Sequence, residues 1–105
     1  MKSYSKNYDS SIEYVCFFCE GCKSEHCVPV TIPNENEHKW GFNGNHTNPT
    51  ITPSIDNHYP KEAYEEHPGL PAFKCHINIT DGKIIFHGDC THEMAGQTKE
   101  LPDKY

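Results

Sequence analysis

At 105 residues the chain has room for one domain and a modest core. With 34% hydrophobic residues and a mean hydropathy of -0.80, that core is thin enough to need a staple such as disulfides or a bound metal. A formal net charge of -6 removes the electrostatic attraction behind nucleic-acid binding. No apolar run approaches membrane-spanning length, and residues 1–11 are polar, unlike a secretory leader. The expectation is therefore a cytoplasmic protein with neither a membrane nor a nucleic-acid partner, in which reduced thiols favour metal over a disulfide framework for the six cysteines.

In chain order, residues 1–12 read as a flexible lead-in. Residues 14–18 (YVCFF) are β-branched or aromatic apart from Cys16 and read as a strand, and residues 27–32 (CVPVTI) as the strand that returns. The turn of this hairpin carries Cys19, Cys22 and His26. Cys16 and Cys27 alternate with apolar neighbours and are expected as buried core thiols.

In residues 40–55 (WGFNGNHTNPTITPSI), Asn43-Gly44 signals a turn. Pro49 and Pro53, lacking N–H donors, place the extended run that follows at a sheet edge or in polyproline-like structure. Residues 56–72 read as a surface loop with at most one helical turn at Lys61–Glu66. His38, His46, His58 and His67 fall in polar stretches and are expected to be solvated.

The clearest element is the hairpin in residues 75–89 (CHINITDGKIIFHGD), because Asp81-Gly82 suits a two-residue type I′ turn with positive φ at both positions. That register pairs Thr80 with Lys83, Ile79 with Ile84, Ile77 with Phe86 and Cys75 with Gly88. The other face then pairs His76 with His87 and Asn78 with Ile85. Thr91 is placed to cap a short turn through His92 to Ala95, closed by Gly96. The expected fold class is mainly β: a small single domain of short antiparallel hairpins with a zinc-ribbon-like knuckle and at most short helical turns.

Cys19-Glu20-Gly21-Cys22 is a C-x-x-C whose glycine lets both thiolates aim at one centre, and a structural Zn²⁺ needs four such ligands. The expected set is Cys19, Cys22, Cys75 and His92, with Cys90, His76 and His26 as competitors for the last places. A redox C-x-x-C is disfavoured because no alternating βαβ pattern surrounds it. His76, His87, Asp89 and His92 gather at the open end of the second hairpin. His76 and Asp89 are accordingly the candidate catalytic residues, against a reading in which they only orient metal ligands.

Several motifs carry a family resemblance: Cys19-x-x-Cys22-x-x-x-His26, Trp40-Gly-Phe-Asn-Gly-Asn45, Pro49-Thr-Ile-Thr-Pro-Ser-Ile55, Cys75-His-x-x-Ile-x-Asp-Gly-x-Ile84, and Asp89-Cys-Thr-His-x-x-Ala-Gly-Gln-Thr98 followed by Leu101-Pro102. In this order they resemble an uncharacterised family of small phage, prophage and bacterial metal-binding proteins, some labelled ammonia monooxygenase, a label not carried over. The resemblance implies a phage or mobile-element protein acting in a bacterial cell, with no activity attached. Related domains beside ubiquitin-like activating and conjugating enzymes imply a role in host–phage conflict. Cys16, Cys27 and Glu20, which stands where the family has a proline, depart from the pattern.

Three functions are consistent with these features. The first is a non-enzymatic zinc module that binds another protein through its acidic surface. The second is a zinc-dependent hydrolase using His76, His92 and Asp89 around an open metal position. The third is a Rieske-like iron–sulfur centre built on Cys75-His76 and Cys90-Thr-His92.

Overall fold

The computed structural model describes residues 1–9, 12–31 and 39–105. They form two antiparallel sheets. The first has strand order β1-β2-β3, from β1 (Tyr4–Asp9), β2 (Ile12–Cys19) and β3 (Ser24–Thr31). The second has order β4-β5-β6-β7-β8, from β4 (Gly41–Phe42), β5 (Ile51–His58), β6 (Lys74–Thr80), β7 (Lys83–Phe86) and β8 (Thr98–Glu100), with the six-residue helix α1 (Lys61–Glu66) between β5 and β6.

The second hairpin has the expected register, with Ile77 opposite Phe86, Ile79 opposite Ile84 and Thr80 opposite Lys83. Asp81 and Gly82 take φ of 49° and 76°, as the turn chemistry requires. The alternation sends Cys75, Ile77, Ile79, Ile84 and Phe86 inward. There they meet Val15, Phe17, Cys19 and Val28 from the first sheet, with Ile51 and Ile55 of β5. Each buried aliphatic or aromatic side chain contributes about 1.5–3 kcal/mol.

Other expectations need correcting. Tyr4–Asp9, taken as a flexible lead-in, is strand β1, paired with β2. Strand β2 runs on to Cys19, and β3 begins at Ser24, so His26 lies within a strand rather than in the turn; Ile32 and His38 lie outside the described residues. Cys16 and Cys27 are register partners whose Cα atoms are 4.1 Å apart, and they form a disulfide instead of remaining core thiols.

Pro53 sits not at an edge but in β5, between β4 and β6. The ladder tolerates it because pairing slips there: Ile51 faces Ile79 and Ile55 faces Ile77, so β5 carries two extra residues in a bulge. The Thr52–Pro53 peptide is cis. Strand β5 continues to His58, three residues into the stretch read as loop, whereas Lys61–Glu66 is helical as expected. Thr91 does not cap its own turn; its Oγ1 accepts the Lys74 N–H at 3.0 Å. Strand β8, Thr-Lys-Glu, is exposed along its length and carries no strand signal.

Candidate functional site

Where the sheets meet, four side chains from three strands and one turn converge. Cys19 ends β2, Cys22 lies in the turn, His26 is on β3 and Cys75 comes from β6 of the other sheet. Their ligand atoms lie within 4.8 Å of one another, a spacing able to hold a metal ion. A second such group, Cys75, Cys90 and His92, shares Cys75 with the first. The sulfurs of Cys19 and Cys75 are 3.8 Å apart. A tetrahedral ion with metal–sulfur bonds near 2.3 Å sets that edge at about 3.8 Å. The Cys22 N–H also donates to Cys19 Sγ at 3.4 Å.

Three thiols this close cannot all ionise unaided. A hydrogen bond from Cys75 drives Cys19 down to about 4, burial pushes Cys22 up to about 11, and Cys75, donating to Cys19 and buried, is pushed up as well. A cation at the centre would remove the conflict by favouring thiolate at all three positions.

The two histidines differ in what their ring nitrogens do. His26 is buried, its Nδ1 lies 3.4 Å from the Asn57 side-chain amide, and its Nε2 has no hydrogen-bond partner. A buried orphan nitrogen costs about 1–3 kcal/mol unless something occupies its lone pair, which a metal would. His92 accepts the Met94 N–H at Nδ1 (3.2 Å), which puts its proton on Nε2, and Nε2 lies 3.3 Å from Cys75 Sγ. That ring packs against Gly21, where an added Cβ would come within 2.4 Å of it. The geometry therefore suits His26 to ligation and His92 to donating a hydrogen bond to a ligand sulfur.

On the opposite face of β6, beside Cys75, His76 meets a different set of groups. Its Nε2 is 3.1 Å from Ser54 Oγ, and its Nδ1 is 3.4 Å from Asp89 Oδ2. The ring stacks on His87 at 4.0 Å between centroids. Its backbone is clamped by Cys90, whose sulfur accepts the His76 N–H and donates to the His76 carbonyl, both at 3.3 Å. Cys90 thus has its proton and its lone pair engaged on β6. Lys74 Nζ reaches Asp89 Oδ2 at 3.0 Å and holds that carboxyl below the usual carboxylate range.

Ser54 arrives through the bulge in β5. Ile55 points inward opposite Ile77, so Ser54 and Asp56 share the outer face, and Asp56 is the register partner of His76. The Trp40 indole N–H donates to the Ser54 carbonyl at 3.4 Å. Ser54, His76 and Asp89 thereby form a serine–histidine–carboxylate chain, half-buried at the serine and histidine.

Of the expected metal set, Cys19, Cys22 and Cys75 come together, and His26 rather than His92 joins them in the four-membered group. The catalytic candidates His76 and Asp89 do meet, but among the described residues neither belongs to a group able to hold a metal. Cys75 and His76 face opposite ways, so they cannot serve one iron–sulfur cluster. His46, expected to be solvated, instead bridges Ser3 Oγ at 2.7 Å and Ser5 Oγ at 3.0 Å, tying β1 to the loop before β5. Ser54 is absent from the expected site residues: it stands in the motif at residues 49–55, but no glycine elbow or other nucleophile signature surrounds it, and only the bulge delivers it to His76.

Among the described residues no helix is long and apolar enough to cross a membrane. A family model described as "Bacterial ubiquitination-like system serine protease (BubE)" matches residues 1–87. No curated protein and no solved structure matches the chain.

Proposed function

The chain belongs to this bacterial family, and on that premise we propose that it is a serine peptidase of a ubiquitination-like system, carried on a zinc-stapled β scaffold. The supporting observation is the Ser54–His76–Asp89 chain, at 3.1 Å and 3.4 Å. Asp89 at Nδ1 keeps the imidazole proton on that nitrogen and leaves Nε2 to take the Ser54 proton as Oγ attacks the acyl carbon. His76 then returns the proton to the departing amine, and water releases the acyl group by the same steps in reverse. The Nδ1 contact is long for a hydrogen bond and is expected to shorten with substrate bound.

His46 with Ser3 and Ser5 has the same order of groups but a hydroxyl where a carboxylate is needed, and a hydroxyl offers the imidazolium no counter-charge. That constellation is a structural clip in this reading.

Zn²⁺ suits the donor set of Cys19, Cys22, Cys75 and His26, since three sulfurs and one imidazole are its usual structural ligands. It would supply a cross-link between the sheets and no chemistry. By fixing Cys75 it fixes the strand that presents His76, and His92 and Cys90 tie the Asp89 loop to the same strand. The protein partner in this reading is the polypeptide to be cut, and action in the bacterial cytoplasm belongs to the same proposal. Hydrolysis of p-nitrophenyl acetate by wild type, Ser54→Ala and Ser5→Ala tests it. Activity lost with Ser54 and kept without Ser5 is expected; loss with Ser5 alone overturns the assignment.

A further inference from the structure

Trp40 and β4 fill one end of a slot between the two sheets. The Trp40 N–H bonds the Pro29 carbonyl of β3, while Gly41 and Phe42 pair with Thr52 and Ile51 of β5. At this end a single strand therefore spans the gap between β3 and β5. Beyond Trp40 the gap continues as a groove of about 400 Å³ between β3, at Glu25 and Val28, and β5, at Ile55, Asp56 and Asn57. β3 is the edge of its sheet, and β5 has no partner on this side beyond Thr52 among the described residues. Two strand edges that have no strand partner here among the described residues face one another across this groove, with His26 and Asn57 in contact 3.4 Å apart across it, and form a template for an added strand. The groove ends at Trp40, whose indole holds the Ser54 carbonyl.

The charged residues that line the groove, leaving His26 aside, are the acidic Glu25 and Asp56. Glu25 is held in place by the hydroxyls of Tyr105 (2.7 Å) and Tyr4 (2.9 Å), which accounts for its lowered pKa. Asp56 is shared with Lys74 and His58 on its other side.

We propose that this groove takes an extended polypeptide segment bearing a lysine or arginine side chain, added as a strand between β3 and β5 so that its backbone reaches Ser54. The proposal rests on the serine peptidase reading for what happens there, but docking can be measured without catalysis. Zinc-loaded Ser54→Ala protein is titrated by fluorescence anisotropy with two labelled decapeptides identical except for Arg or Glu at alternate positions. The cationic peptide is expected to bind at least about tenfold tighter, a difference of about 1.4 kcal/mol. Adding Glu25→Gln, which keeps an acceptor for one tyrosine and offers the other hydroxyl an N–H donor, is expected to shrink the ratio below about threefold. N-methylating backbone nitrogens of the cationic peptide should weaken binding in both phases of the alternation, since successive N–H groups face β3 and β5 in turn.

Equal affinity for the two peptides, or binding that N-methylation leaves unchanged in either phase, overturns the added cationic strand. Neither depends on Glu25→Gln folding. The acetate ester assay reports on the triad separately, so a working Ser54 with no peptide selectivity sinks this proposal alone.

Discussion

Cys75 and His76 are neighbours on β6 and belong to two different regions of the molecule. Cys75 is wholly buried, and its sulfur is placed by packing against the opposite sheet, 3.8 Å from Cys19. His76 is half-buried, and each part of it is placed by a hydrogen bond, a stack or a clamp. On the proposed reading the inner region holds the fold together and the outer one carries the reactive groups. Because one strand supplies both, the proposed reading makes the position of the triad depend on the metal cluster and not the reverse.

That asymmetry is sharpest in a pair of substitutions. Cys75→Ser is expected to abolish stoichiometric zinc and the cooperative thermal transition together, since in small metal-stapled domains metal binding is folding free energy. His76→Ala should keep zinc and shift Tm by no more than about 4 °C, while Ser54-dependent ester hydrolysis disappears. Metal analysis and calorimetry on the two proteins decide this; a His76→Ala protein that loses its zinc would merge the two regions into one.

A second comparison lies within the outer region. Asp89→Asn keeps the shape but removes the charge that sets the His76 tautomer, and a fall of about 10⁴-fold in kcat is expected, with stability changed by about 0.5 kcal/mol or less. A fall of only a few-fold would show that Lys74, 3.0 Å away, already neutralises Asp89 too well for it to serve.

The smallest effect separates the two histidines of the inner region. His26→Ala should lose zinc outright, whereas His92→Ala should keep it with about 10–100-fold weaker affinity, as expected for a residue that bonds a ligand sulfur rather than the metal. Competition with a chromogenic chelator measures both. The reverse order would return His92 to the ligand set.

How legible this was in the sequence depended on how local each feature is. The second hairpin could be read residue by residue because Asp81-Gly82 fixes its turn and period-2 alternation does the rest, so the division between Cys75 and His76 followed. The C-x-x-C was equally local. His26 was misplaced because β3 begins at Ser24, earlier than its apolar run suggests, and the choice between His26 and His92 turns on hydrogen bonds to Asn57 and Met94 that no spacing encodes. Ser54, His76 and Asp89 each stood in a motif of the family resemblance. What joins them is a two-residue slip between β5 and β6 around Pro53, a residue that in sequence argued for an edge.

The account stands most directly on which serine is nucleophilic. Treating the zinc-loaded protein with a fluorophosphonate and mapping the adduct by mass spectrometry should give one phosphonylated residue, Ser54, with no adduct in His76→Ala. An adduct on Ser5, or labelling of Ser54 that survives loss of His76, would contradict it.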